Sequence, residues 1–146
     1  MRVQFHLCST NMKYYILKQD NLIVKSGFEK FSPLAIEETD IHKYTINDCL
    51  LTGTEFQIAI WKAIASISIG NVVSYADLVK LVGRGSPQAA GTACGKNRIP
   101  VVIPCHRVVG KTNPLAYSGG NGAETKRQLL KEEGVILSPL LGSYIE

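Results

Sequence analysis

The chain has 146 residues, of which 45% are hydrophobic and 19% charged, and it carries a net charge of +4. That composition suits one ordinary domain or two small ones around an apolar core, and it excludes a disordered, collagen-like or disulfide-dense chain. No apolar run nears the ~20 residues of a membrane span, and MRVQFHLCST mixes Gln, His and Ser into its apolar stretch, so neither a span nor a secretory signal is expected. The expected location is cytoplasmic, or nuclear in a eukaryote.

In chain order, Tyr14-Tyr15-Ile16-Leu17 and Leu22-Ile23-Val24 flank Gln19-Asp20-Asn21, which predicts a β-hairpin closed by turn-forming residues. Ser32-Pro33 followed by Glu37-Glu38 has the N-cap, first-position proline and early acids of a helix start, so a short helix is expected there. Beyond Thr39 the sequence is irregular up to Thr52-Gly53-Thr54, taken as the boundary between a β-containing part (1–52) and a helical part (53–146). Phe56, Ile60, Ala63, Ile64 and Ile67 then recur at helical spacing behind Thr54, until Gly70-Asn71 stops the run. A second helix is predicted over Tyr75–Val82, capped by Ser74 and ended by Gly83, and a third from Ser86-Pro87 to about Asn97. Two short helices around a glycine turn outline a helix-turn-helix.

The third helix carries interior glycines, each costing roughly 1 kcal/mol against alanine, and its Gln88, Gly91, Thr92 and Gly95 share one nearly flat face. Such a face suits tight packing inside the protein, the commoner case, or close approach to another surface. Charge bears on that choice. Residues 1–54 are neutral, whereas residues 55–123 hold seven basic side chains against two acidic ones, which fits an anionic partner such as nucleic acid as well as it fits an ordinary solvated face.

Ile99-Pro100-Val101-Val102-Ile103-Pro104-Cys105-His106-Arg107-Val108 is the stretch that carries chemistry. Pro104 removes a backbone donor, so a short apolar strand is expected to end where Cys105 begins. The thiol then neighbours an imidazole and a guanidinium, charges that lower a thiol pKa and favour the attacking thiolate. Adjacent strand residues face opposite ways, so His106 would act on Cys105 through a water or a turn. On the dipeptide alone, a buried inert cysteine is the commoner reading.

The longer pattern resembles the O6-alkylguanine-DNA alkyltransferases, over about Gly53 to Gly134. It includes Gly53-Thr54-Glu55-Phe56-Gln57 with Trp61, Ser74-Tyr75, Asn97 ahead of Ile103-Pro104-Cys105-His106-Arg107-Val108, Tyr117-Ser118-Gly119-Gly120, Lys126 with Leu129-Leu130, and Glu133-Gly134. The resemblance implies an α+β protein, with a small N-terminal ribonuclease-H-like β-sheet domain and a C-terminal helical domain containing the helix-turn-helix. It implies irreversible single-turnover transfer of the alkyl group from O6-alkylguanine in double-stranded DNA, with O4-alkylthymine as a further candidate, onto Cys105. His106 would be the base acting through a water, Glu133 the carboxylate orienting it, and Asn97 the hinge. Tyr75 would rotate the phosphate and donate to the flipped base, while Val108, Tyr117, Ser118 and Lys126 fall among the substrate-pocket positions. Gln88, Gly91, Thr92, Gly95 and Arg98 would line the minor-groove DNA contact, since a duplex base must leave the stack to be reached.

One position departs from the family. Where relatives place an arginine that fills the space left by the flipped base, this chain has Gln88, which lacks the charge and stacking plane; Arg84 and Arg98 are candidate substitutes. No cofactor is implied, a monomer is expected, and His6, Cys8 and His42 match no zinc-ligand pattern. Trp61 and Cys94 are expected to be buried. The competing readings are a damage sensor without transfer, a helix-turn-helix regulator that prefers an undamaged sequence, and a cysteine hydrolase, for which no oxyanion-hole motif is visible.

Overall fold

A computed structural model of the chain describes residues 12–137. The expected hairpin is strands β1 (Tyr15–Gln19) and β2 (Leu22–Gly27), antiparallel, with Asp20 and Asn21 both at positive φ as a tight hairpin turn needs. The helix expected after Ser32 does not form. Ser32 closes only a single turn, accepting from the Leu34 and Ala35 amides, and Ile36–Glu37 instead pairs with β1 as the short edge strand β3. Pairing with an existing sheet outweighs a local helix signal here, because a helix of a few residues has too few internal bonds to repay its nucleation. The three-stranded sheet runs β2-β1-β3.

Three capped helices follow. In α1 (Glu55–Ala65) Thr54 Oγ1 accepts from the Gln57 amide at 3.1 Å while Gln57 Oε1 accepts from the Thr54 amide at 2.9 Å, a reciprocal box satisfying two orphan donors. Thr54→Ala is expected to cost about 1 kcal/mol, read as a lowered urea midpoint with an unchanged m-value. Gly53 is required just before it, since a Cβ there would lie 2.9 Å from the Trp61 ring. Helix α2 (Tyr75–Val82) has the same kind of box between Ser74 and Asp77 and ends at Gly83, whose φ of +85° closes the last turn. After a turn over residues 83–86, α3 (Pro87–Gly95) starts from Ser86, whose hydroxyl accepts from the Ala89 amide.

Helices α1, α2 and α3 pack on one another around Ile60, Trp61, Ile64, Leu78, Ala90 and Ala93, with Trp61 buried as expected and its indole N–H donating to the Ala93 carbonyl at 2.9 Å. Val73–Ser74 (β4) pairs in parallel with Val108–Val109 (β5), which ties the start of α2 to the residues just after Cys105. A fourth helix, α4 (Ala123–Glu132), which the apolar pattern does not suggest, buries Thr125, Lys126, Leu129 and Leu130. The result is a mixed α/β protein with two small sheets and four helices among the described residues. No helix among them is long and apolar enough to cross a membrane.

Candidate active site

The apolar strand expected over 99–103 is a buried tight turn. Pro100 bridges Ile103, the Ile103 amide donates to the Ile99 carbonyl at 3.0 Å, and Val101 sits at φ +74°. Proline at 100 and at 104 denies the segment the backbone donors a strand ladder requires, so it closes on itself. Cys105, His106 and Arg107 then form one turn of 3-10 helix. At three residues per turn their side chains leave about 120° apart, so the thiol points away from both the imidazole and the guanidinium.

His106 and Arg107 both meet Glu133, which arrives from the end of α4. His106 Nε2 lies 2.8 Å from Glu133 Oε2, Arg107 Nε and Nη2 donate to its two oxygens at 2.9 and 2.8 Å, and Arg107 Nη1 donates to the Ile67 carbonyl. All three side chains are buried. Burial pushes the Glu133 carboxyl up, but the donors from His106 and Arg107 outweigh it and hold the group down at about 2. Burial also lowers His106 below its ordinary value despite the carboxylate, so the imidazole is neutral near pH 7. With Nε2–H donating to Glu133, Nδ1 carries the lone pair, and that atom is buried without a partner. An orphaned basic nitrogen is what a general base needs.

The thiol differs from expectation. Burial raises the Cys105 pKa, and the opposing influences are the Asn97 amide, the Lys126 charge and the Tyr117 hydroxyl rather than Arg107, whose guanidinium is spent on Glu133. At rest Cys105 is therefore a thiol that requires a base. Asn97 Nδ2 lies 3.2 Å from its sulfur and 2.8 Å from the Ile103 carbonyl, while Asn97 Oδ1 accepts from the Ile99 amide.

Cys105 forms part of the wall of two cavities. The smaller, of about 270 Å³, is lined by Tyr75, Gly91, Cys94, Gly95, Ala116, Tyr117 and Ser118, and burial pushes the Tyr75 phenol up to about 12, so it stays a proton donor. The larger, of about 440 Å³, lies between the Cys105 segment and β2, with Phe28, Asn97, Arg98, Pro100 and Gly119 in its walls. Cys94 is buried as expected and yet faces the smaller cavity, with its thiol pushed up to about 12 by burial.

On the outer side of α3, Gln88, Thr92 and Gly95 are exposed. A Cβ at Gly95 would meet nothing within 4 Å, and one at Gly91 would meet only the Tyr75 ring at 4.0 Å, so internal packing does not demand either glycine. The bare face is open to solvent. Lys62, Lys80, Arg84, Lys96, Arg98 and Lys111 also reach solvent, and of the seven cations in residues 55–123 only Arg107 is withdrawn.

Residues 55–135, more than half of the chain, match the family profile described as "6-O-methylguanine DNA methyltransferase, DNA binding domain". The chain belongs to this methyltransferase family. It is 40% identical over 117 residues to the methylated-DNA–protein-cysteine methyltransferase of Candida albicans, covering 80% of this chain and 64% of that one, and 36% identical over 125 residues to that of Shigella flexneri, covering 77% and 72%. The chain thus spans slightly less than two thirds of the Candida protein. Among solved structures, Mycobacterium tuberculosis OGT in complex with DNA matches with a TM-score of 0.54 at 41% identity, over 58% of this chain and 53% of that one. A single-residue variant of the same mycobacterial protein matches more of the chain, 80% against 82%, with a TM-score of 0.62 at 26% identity.

Within the methyltransferase fold the residues singled out from sequence fall into three groups. Cys105, Tyr75, Gly91, Gly95, Tyr117 and Ser118 converge on the smaller cavity, with Asn97 and Arg98 on the larger. Gln88 and Thr92 lie on the exposed face of α3, where Thr92 Oγ1 donates to the Gln88 carbonyl. Val108 and Lys126 line neither cavity. Lys126 is fully buried, its Nζ donating to the Val108 and Ala116 carbonyls at 2.6 and 3.1 Å, so it fastens these two segments to α4. Burial brings its pKa down to about 8. Arg107, as the partner of Glu133, is the residue that sequence reasoning misses. The signal is its place beside His106 in a stretch where every neighbour is apolar, His or Cys, a context in which a cation must be paired. Among the described residues no group of three or more His, Cys, Asp or Glu side chains could hold a metal ion; His6 and Cys8 lie outside them.

Proposed function

We propose that this chain repairs DNA by moving the alkyl group of an O6-alkylguanine onto Cys105 in one irreversible step. The observation that carries the reading is a neutral, Glu133-oriented His106 whose Nδ1 is buried without a partner, next in the chain to a cysteine that burial keeps protonated. In the proposed step the thiol proton passes through a water to His106 Nδ1 while the sulfur attacks the alkyl carbon. The S–C bond forms as the C–O6 bond breaks. Guanine leaves with the electron pair and takes a proton from Tyr75, whose raised pKa keeps that proton available. A thioether has no exchangeable bond, so each molecule acts once.

In this reading, residues 1–52 form the ribonuclease-H-like part and residues 53–146 the DNA-binding and acceptor part. Helices α2 and α3 with their glycine turn serve as the helix-turn-helix, entering the minor groove with the bare face of α3. The uncrowded glycines support that use, because a narrow groove rewards a face without side chains. The exposed cations would hold phosphates without reading sequence, as a repair protein requires. Mixing the protein with an excess of duplex containing O6-methylguanine should restore guanine stoichiometrically, one per protein molecule, by nucleoside chromatography. Catalytic turnover, or no restoration, would contradict the proposal.

Gln88 is exposed at the start of α3, while Arg84 is drawn over the Phe56 ring at 5.7 Å and Arg98 lies at the opposite end of the helix. Neither sits where the family arginine would be. Gln88→Arg is therefore expected to speed repair of duplex DNA several-fold with little effect on reaction with free O6-benzylguanine, and equal acceleration of both would show that Gln88 does not act on base flipping.

A further inference from the structure

We infer that Tyr14 and Ser26 are positioning residues for the Cys105 thiol: from the N-terminal sheet they hold the Pro100 carbonyl, and so fix the turn across which Asn97 reaches the sulfur. The inference rests on the proposed alkyl transfer for its meaning in repair, although its effect on the thiol is readable without it.

The Pro100 carbonyl accepts from the Tyr14 hydroxyl and from Ser26 Oγ at 3.1 Å, residues 86 and 74 positions away in the chain. Ser26 also donates its amide to the Arg98 carbonyl at 2.9 Å. Three hydrogen bonds thus run from the sheet into residues 98–100. Asn97 grips the same turn from within, bonding the Ile99 amide, the Ile103 carbonyl and the Cys105 sulfur. Between these two grips Val101 is held at φ +74°. A β-branched residue in the left-handed region is strained and persists only where its surroundings dictate it.

Packing alone would not select these side chains. Tyr14 is fully buried and Ser26 nearly so, in a core otherwise supplied by Ile16, Ile23, Cys49 and Val102. Phenylalanine and alanine would fill the same space without burying hydroxyls, which is costly unless each is bonded. Both hydroxyls are aimed at one carbonyl, and burial keeps the Tyr14 phenol protonated, so it donates throughout the working pH range. Loosening that carbonyl lets the turn relax. The Asn97 donor then withdraws from the sulfur, and the hydrogen bond that favours the thiolate is lost.

The test uses Tyr14→Phe, Ser26→Ala and the double variant, with Ile23→Val as a control that thins the same buried sheet without touching the turn. Iodoacetamide alkylation of Cys105 is followed against pH, together with transfer from an O6-methylguanine duplex and thermal stability. The expected result is an upward displacement of the alkylation midpoint in the double variant by about one unit, with transfer at neutral pH about tenfold slower. Ser26→Thr, which keeps a hydroxyl, should restore the midpoint, and Ile23→Val should leave it unmoved. Should the double variant fail to fold, Tyr14→Phe gives the same reading, since it removes only the donor. An unchanged midpoint, or the same displacement in Ile23→Val, overturns the inference. A displaced midpoint in a protein that transfers no alkyl group would refute the proposed function and leave the clamp standing.

Discussion

Replacing Glu133 by alanine is expected to destabilise the protein by about 3–5 kcal/mol, the cost of stranding a buried charge, which removes a large share of the roughly 5–15 kcal/mol of an ordinary domain. Arg107 would keep only its bond to the Ile67 carbonyl, and His106 would lose its one partner. Glu133→Gln, which keeps the shape and one acceptor, should cost less. The same cluster sets the acid limit. Glu133 is held at about 2 against an ordinary 4.5, and buried His106 lies below its ordinary 6.5. In both cases the unfolded chain binds more protons as pH falls, so acid favours unfolding. The His106 contribution should begin to be lost below about pH 6.5 and the Glu133 contribution between about 4.5 and 2. Urea midpoints measured from pH 7 down to pH 2 should fall steadily, and Glu133→Gln should flatten the part of that curve below about pH 4.5.

His106→Gln is expected to slow alkyl transfer at neutral pH by about 10²- to 10⁴-fold, the usual contribution of a positioned base. A glutamine amide can still donate to Glu133, so the fold and the lesion affinity should survive the change. What it cannot supply is the basic lone pair that Nδ1 presents. Because burial raises the Cys105 pKa, the variant should recover part of its rate as pH rises and the thiol ionises unaided. Single-turnover rates across pH check this, and a variant as fast as the parent at pH 7 would remove His106 from the mechanism.

The sequence is most legible where a local rule acts alone. Thr54, Ser74 and Ser86 begin helices because their hydroxyls satisfy the orphan amides of the next turn, and Gly83 ends one because its φ is positive. Asp20-Asn21 is readable as a turn for the same kind of reason. Tertiary competition defeats the rest. The Ser32 segment is captured by the edge of β1, and Ile99–Ile103, apolar enough for a strand, closes into a turn clamped from the distant Tyr14 and Ser26. Of the site, PCHR and Glu133 are recognisable as a pattern. That Arg107 pairs with Glu133 instead of activating Cys105, and that Lys126 bonds two carbonyls behind the pocket, depend on α4 folding back across the 3-10 turn, which no spacing in the chain announces.

Intact-protein mass after mixing with duplex DNA carrying O6-methylguanine is the most direct measurement, run beside Cys105→Ala. A gain of one methyl group per molecule is expected, mapped to the peptide containing Cys105 and absent from the variant, which should still bind the lesion. No gain despite lesion-selective binding, or a methyl group found on Cys94 or Cys49, would contradict it.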